Sequence, residues 1–115
     1  MTSTSLDLGE LHLQTGGDEN LAREVLQLFV VGVTADLGRL TAAAGYDRQV
    51  FAHRMVGSAR AVGAGEVARL AASVEAGADA DVPALASAVA DAVRFVESYL
   101  AGQIAPTPPH TGGGA

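Results

Sequence analysis

The longest regular pattern in the chain is an apolar residue at every third or fourth position between Leu21 and Ala44. Its members are Leu21, Val25, Leu28, Phe29, Gly32, Val33, Leu37, Leu40 and Ala44. A 3.6-residue spacing places such side chains on one face of an α-helix. Asp18 precedes the pattern as the expected N-cap, and Gly45 and Tyr46 follow it as the expected end. The pattern therefore predicts a helix roughly 35–40 Å long, at about 1.5 Å per residue.

Shorter patterns predict helices on both sides of this one. Residues 6–13 predict a short helix that docks through Leu6, Leu11 and Leu13, although their apolar spacing is irregular. Asp47 is the expected N-cap of a helix that carries His53 and ends at Gly63. A further helix is predicted over residues 64–76. Its inward positions are Val67, Leu70, Ala71 and Val74.

The last predicted helix begins near Pro83, after a loop of residues 77–81. Proline suits the first turn of a helix because the N–H group that it lacks would have no partner there. The inward positions of this helix are Leu85, Val89, Val93, Val96 and Leu100. Residues 104–115 are rich in proline and glycine and are predicted to be a disordered tail.

Together these patterns predict one all-α domain over residues 1–103. We expect an antiparallel four-helix bundle with a short extra N-terminal helix. The composition agrees, because alanine supplies much of the 49 % apolar content while aromatic residues contribute only 4 %. Strands usually need more β-branched and aromatic residues than this chain offers.

Composition and charge also narrow the function. The chain has no cysteine, which excludes disulfides, thiol catalysis and thiolate metal sites. Its formal charge of −6 argues against a nucleic-acid-binding surface. No stretch of the sequence approaches the ~20 apolar residues of a membrane span, and residues 1–14 lack the features of a signal peptide. We therefore predict a cytoplasmic monomer with neither a nucleic-acid nor a membrane partner.

The candidate chemistry lies in residues 51–64. At about 100° per residue, one side of this helix carries Phe51, Met55, Ser58, Ala59 and Val62, and the other side carries His53, Val56, Gly57 and Arg60. His53 is thus predicted to face solvent, where a neutral imidazole has one nitrogen free to act as a nucleophile. Gly57 costs a helix interior up to roughly 1 kcal/mol relative to alanine. Its missing side chain would let a large molecule approach His53.

Counting across the predicted hairpin supplies a partner for the imidazole. His53 lies ten residues before Gly63 and Glu75 lies twelve after it, so two antiparallel helices bring them to about the same level. The Glu75 carboxylate could accept an N–H from His53 and fix its tautomer.

Arginines supply positive charge near His53. Residues 48–74 contain four of the seven arginines and a single acid, Glu66. A phosphoryl group on the imidazole would add roughly two negative charges. Arg60, two turns along the same face, is the better-placed group to stabilise them, and Arg54, about 100° around the helix, is the weaker one.

These residues resemble the motif of the histidine-containing phosphotransfer (HPt) domains of multistep phosphorelays. The family motif reads His, any residue, a hydrophobic residue, Lys, Gly, then Ser or Ala, with a further Gly ten residues after the His. The corresponding residues here are His53, Arg54, Met55, Val56, Gly57 and Ser58, followed by Gly63. The likeness in helix order covers about residues 21–100.

By this resemblance His53 is the phosphorylated residue. Glu75 matches a position that often holds a Gln or Glu bonded to the imidazole. Gly57, with the adjoining Val56 and Met55, is expected to face a docking receiver domain of a response regulator or hybrid histidine kinase. The resemblance implies no ATP-dependent kinase activity and no cofactor on this chain, because the phosphoryl group comes from a receiver aspartate whose bound Mg²⁺ assists.

Val56 departs from the family, which usually has lysine at this position. Stabilisation of a phosphoryl group would then fall to Arg60 or Arg54, or the domain is weakened, or it no longer transfers phosphate. The alternative prediction is therefore a non-catalytic receiver-binding adaptor, a degenerate HPt domain. A metal site at His53 and Glu75 is a third, weaker interpretation, because structural zinc usually takes four ligands; the sequence predicts no metal.

Overall fold

The computed structural model describes residues 6–102. In this range the chain forms α-helices and one 3₁₀ turn, with no strand. The elements are α1 (Leu8–Gln14), α2 (Glu19–Ala42), α3 (Gly45–Ala61), α4 (Gly65–Glu75), the 3₁₀ turn (Asp79–Asp81) and α5 (Val82–Leu100). The predicted all-α class is confirmed, whereas the predicted disordered tail lies outside the described residues.

Aspartate side chains cap the starts of α1 and α2, whereas α3, α4 and α5 begin without a side-chain cap. The Asp18 carboxylate accepts a hydrogen bond from the Leu21 backbone N–H at 3.1 Å, as the sequence predicted. Pro83 lies in the first turn of α5. The prediction for α3 was wrong, because this helix begins at Gly45 and its N-cap is Ala44. Asp47 lies instead in the first turn, where its charge complements the helix dipole.

The four longer helices share one core. α2 packs against α3 and α5, and α4 packs against the same two helices. The largest fully buried side chains are Tyr99, Leu6, Leu11, Leu26, Leu40, Met55, Leu85, Val33, Val62, Val67, Val74 and Val96. All four predicted inward positions of α4 are buried, and the predicted positions of α5 are buried or half-buried. Of the predicted docking residues of the N-terminal segment, Leu6 and Leu11 are buried, but the prediction for Leu13 was wrong, since it is exposed.

The inward face of α2 differs from the predicted one. Leu28 is 71 % exposed and Leu21 is 42 % exposed, although both belong to the predicted apolar face. The side chains that α2 does bury are Ala22, Leu26, Phe29, Val33, Asp36 and Leu40. Apolar residues lie on both sides of this helix, so their spacing predicted the helix but not its rotation.

The prediction that no segment is long and apolar enough to span a membrane was wrong for α2. Judged by length and composition alone, residues 19–42 could cross a membrane, as the core helices of many soluble proteins could. In the structure only 28 % of the most apolar part of α2 is buried. Much of its apolar surface is therefore displayed outward.

A glycine turn joins α3 to α4. Gly63 has φ of +73°, a conformation that residues with a side chain rarely adopt. Its carbonyl accepts a hydrogen bond from the Asp7 backbone N–H at 2.9 Å. A Cβ at this position would lie 2.9 Å from the Asp7 carbonyl oxygen. Gly63 is thus required both by the turn and by the docking of the chain just before α1.

A polar contact joins α1, α2 and α5. The buried Tyr99 hydroxyl donates to the Glu19 carboxylate at 2.7–2.8 Å. The His12 imidazole lies 3.6 Å from the same carboxylate, and the Arg23 guanidinium donates to the Leu100 carbonyl at 2.6 Å. Burial and the hydrogen bond to Glu19 raise the pKa of Tyr99 to about 12. The tyrosine therefore stays a donor over the physiological pH range.

Tyr99→Phe is expected to lower the free energy of unfolding by about 1–2 kcal/mol at pH 7, because it removes a hydrogen bond to a carboxylate. The pKa of Tyr99 is raised above the ordinary value of about 10, so this contribution is complete below about pH 10 and is lost as the pH rises towards 12. Urea unfolding of both proteins at pH 7 and pH 11 measures the difference. Tyr46→Phe is the matched control, since Tyr46 is 77 % exposed. A difference of equal size at both pH values contradicts the prediction.

Candidate functional site

His53 and Glu75 are in direct contact. The His53 Nδ1 atom lies 2.6 Å from the Glu75 Oε2 atom. The His53 side chain is 74 % exposed and the Glu75 side chain is 37 % exposed. The contact inferred by counting across the hairpin is therefore present, at the surface.

The hairpin geometry explains this contact. Gly63 reverses the chain after α3, and α4 then packs along α3. Val74 is fully buried, so its neighbour Glu75 lies at the border of the inward face of α4. From there its carboxylate reaches the outward imidazole of His53.

The hydrogen bond sets the chemistry of the imidazole. A carboxylate only accepts hydrogen bonds, so the proton of the neutral ring lies on Nδ1. The lone pair is then on Nε2, the nitrogen remote from Glu75. A partner that reaches the exposed side chain would meet a nucleophile whose tautomer is already fixed.

A surface cavity of about 340 Å³ adjoins His53. Its lining residues are Tyr46, Gln49, Val50, His53, Arg54 and Glu75. Sequence reasoning missed Tyr46, Gln49 and Val50. The signal was available, because they precede His53 by seven, four and three residues and so share its face of α3. Two of them, Tyr46 and Val50, are exposed apolar side chains beside the imidazole.

Of the two candidate arginines, Arg54 and not Arg60 lies in the cavity beside His53. Arg54 lines the cavity with His53 and Glu75. Arg60, the residue expected to be better placed, lines a different cavity of about 590 Å³ that also contains Asp7 and Glu10. Arg54 is thus the arginine that the fold brings beside His53.

Asp36 holds Arg54 and was not predicted. Its carboxylate is buried, and its Oδ1 atom lies 3.1 Å from Arg39 and 3.5 Å from Arg54. The sequence signal was a charge at an inward position of the long helix, between Val33 and Leu40. A buried carboxylate generally needs charged partners, and here two exposed arginines supply them.

The predicted docking residues separate into two groups. Met55 is fully buried and Val56 is 6 % exposed, so the prediction that they face a partner was wrong. α3 buries a wider sector than the predicted one because α2 and α4 both pack against it. Gly57 is exposed, and a Cβ placed there would meet no other atom within 4 Å. No packing inside the described chain therefore requires glycine at this position.

Much of the predicted positive patch is neutralised within the chain. Arg48 lies 3.3 Å from Asp79 and donates to the Leu40 carbonyl at 3.1 Å. Arg69 donates two hydrogen bonds to Glu66, and these bonds hold the pKa of the Glu66 carboxyl below its ordinary value. Within residues 6–102, Arg60 forms no ion pair within 4.0 Å.

In the part of the chain that the structure describes, no three His, Asp or Glu side chains are grouped so that they could hold a metal ion. The chain matches no family model, and no curated protein or solved structure matches it significantly.

Proposed function

We propose that this protein is a phosphorelay carrier. His53 accepts a phosphoryl group from the aspartyl phosphate of one receiver domain and passes it to another receiver. The observation that carries the proposal is the 2.6 Å contact between His53 Nδ1 and Glu75 Oε2, which leaves Nε2 as the nucleophile on a largely exposed ring. The matching motif around His53 adds to it only as a resemblance.

The proposed transfer uses the two imidazole nitrogens differently. The Nε2 lone pair attacks phosphorus, and the bond between phosphorus and the aspartate oxygen breaks, releasing a carboxylate. The Nδ1 proton stays on the ring, where the Glu75 carboxylate offsets the positive charge that the ring acquires. Attack by a second receiver aspartate reverses these steps and restores neutral His53.

The surroundings of His53 support docking of a partner at this face. Gly57, one turn after His53, adds no bulk on the exposed side of α3. Tyr46 and Val50 provide exposed apolar contacts one to two turns before it. Arg54 adds a positive charge in the same cavity, in place of the lysine that Val56 does not supply.

We also propose the finer architecture that this function requires. α2, α3, α4 and α5 form an antiparallel four-helix bundle, and α1 is an additional N-terminal helix. The packing of the helices supports this architecture, because α2 and α4 each contact both α3 and α5.

A second candidate is a receiver-binding adaptor without transfer. It is favoured by Val56, which is buried and uncharged where the family usually has lysine. It is also favoured by Arg54, whose guanidinium is already engaged by Asp36. This candidate predicts equal receiver affinity for the native protein and for His53→Gln, with no movement of phosphate.

Incubation with a phosphorylated receiver and Mg²⁺ tests the proposal. The native protein is expected to acquire acid-labile, alkali-stable label, and His53→Gln is expected to acquire none. Glu75→Ala should still be labelled, but about 10–100-fold more slowly, because the ring is no longer held in one tautomer.

His12→Gln is the matched control, since His12 lies on α1 and bonds to the Leu8 carbonyl. Its labelling should equal that of the native protein. Absence of label on the native protein with every receiver of the source organism would refute transfer, as would undiminished label on His53→Gln.

A further inference from the structure

The outward side of α2 carries apolar and small residues where a solvent-facing helix normally carries charge. Leu28 and Val31 are 71 % and 70 % exposed. No charged residue occurs between Glu24 and Asp36. This surface is unlike the outward sides of α3 and α4, which carry several charged side chains.

The exposed residues form one coherent face. At about 100° per residue, those from residue 24 to residue 38 all lie within about 60° of Val31. We call this set the outward face of α2; its members are Glu24, Gln27, Leu28, Val31, Thr34, Ala35 and Gly38. A Cβ at Gly38 would meet no other atom within 4 Å, so nothing in the described chain covers that end of the face.

The outward face of α2 is complementary to itself. When two such helices run antiparallel about a two-fold axis at Val31, residues at similar distances on either side of Val31 meet. Leu28 of one copy then lies against Ala35 of the other, and Gln27 lies against Thr34. Glu24 passes over Gly38, whose missing side chain permits a close approach.

Charge favours this antiparallel arrangement. Glu24 and Arg39 lie near opposite ends of α2 and are turned to the same side of Val31, by about 20° and 80°. In an antiparallel pair each Glu24 meets the partner's Arg39, twice per contact. In a parallel pair the two Glu24 side chains meet, which is repulsive, and neither of them lies near an Arg39.

We propose that a second copy of this chain covers the outward face of α2, in an antiparallel two-fold contact centred on Val31. The homodimer replaces the monomer predicted from the sequence. It does not depend on the proposed transfer: Asp36, which holds Arg54 beside His53, lies about 140° around α2 from Val31. The dimer contact and the His53 cavity are therefore on different sides of this helix.

Sedimentation equilibrium over roughly a hundredfold range of protein concentration tests the dimer. The native protein is expected to approach twice its 11.6 kDa mass. Val31→Glu should weaken association ~10-fold or more, because it buries two like charges at the two-fold axis. Leu13→Glu is the matched control, since Leu13 is an 80 % exposed leucine on α1.

A native protein that stays monomeric overturns the proposal, as does equal association of Val31→Glu and Leu13→Glu. Vesicles of mixed neutral and anionic phospholipid test a membrane surface as the other occupant. If vesicles co-sediment the native protein but not Val31→Glu, and no dimer forms, the face belongs to a membrane and the proposal is wrong.

Single cysteines test the register, since the native chain contains none. Val31→Cys places two thiols at the two-fold axis and should form a disulfide-linked dimer on mild oxidation. Leu28→Cys should not, because the two Leu28 positions are offset by about 9 Å along the helices. Comparable cross-linking of both variants overturns the antiparallel contact centred on Val31.

Charge reversal tests the ends of the contact. Glu24→Arg and Arg39→Glu should each weaken self-association, whereas an equimolar mixture should form a heterodimer with two Arg–Glu pairs. Arg39 also contacts the buried Asp36, so the melting temperature of Arg39→Glu is measured first. If that variant is unfolded, the cysteine experiment, which leaves Arg39 unchanged, decides the register. Failure of two folded variants to associate contradicts the proposed pairing.

Discussion

Gly57→Arg is expected to reduce phosphoryl transfer from a receiver to His53 by about 100-fold or more, while the fold stays intact. The position is exposed and lies one turn after His53, so a long side chain would occupy the space that a docked partner needs. Nothing within 4 Å constrains a Cβ there, so the variant should fold normally. The initial rate of labelling by a phosphorylated receiver measures the effect.

Two control experiments distinguish an effect of Gly57→Arg on receiver docking from an effect on the reactivity of His53. Labelling of Gly57→Arg by phosphoramidate, a donor too small to need docking, should match that of the native protein. Gly65→Arg places the same side chain at another exposed helical glycine with open space, outside the cavity beside His53, and should leave receiver-dependent labelling unchanged. Equal losses in both arginine variants, or loss of phosphoramidate labelling, would rule out a steric role of Gly57 in docking.

A smaller substitution at Gly57 is expected to stabilise the fold. Gly57→Ala is expected to raise the free energy of unfolding by up to about 1 kcal/mol, because alanine favours the helix and meets no neighbouring atom. Glycine at this position is therefore not explained by the stability of the fold.

Gly63→Val is expected to lower the free energy of unfolding by about 3 kcal/mol or more. A β-branched residue at φ of +73° costs roughly 1–2 kcal/mol in backbone conformation. The larger part comes from the Asp7 backbone, whose carbonyl oxygen and nitrogen lie 2.9 and 3.1 Å from the new Cβ. To relieve these close contacts, the chain before α1 must move and lose its hydrogen bond to residue 63.

Urea unfolding of Gly63→Val and Gly16→Val measures the two contributions separately. Gly16 has a similar φ of +64°, but no atom lies within 4 Å of its added Cβ. Gly16→Val should therefore show only the conformational cost. Equal destabilisation of the two variants would mean that the contact with Asp7 contributes nothing.

The sequence predicted the helices well because their signals are local. Asp18 marks the start of α2, and Gly63 marks the turn between α3 and α4. The contact between His53 and Glu75 was also predictable, since it follows from counting residues along two helices joined by a tight turn. These inferences need only helix geometry.

Rotation of the helices was less predictable because it depends on their neighbours. Leu28 and Leu26 are equally apolar, yet only Leu26 faces the core. Val56 was placed outward because it lies near His53 on a helical projection, but α2 and α4 together bury a wide sector of α3. The placement of Arg54 depended on Asp36, a residue 18 positions earlier in the sequence.

The contacts of α1 determine where the described chain can be tethered. Asp7 bonds to Gly63 at the turn between α3 and α4, and His12, five residues later, lies beside the Glu19 carboxylate that binds Tyr99. Residues 6 and 102 therefore lie at the same end of the described chain, on either side of a helix only about 10 Å long. His53 lies about 15 Å from that end along α3. A fluorophore or surface linker attached before residue 6 or after residue 102 should therefore leave the imidazole accessible.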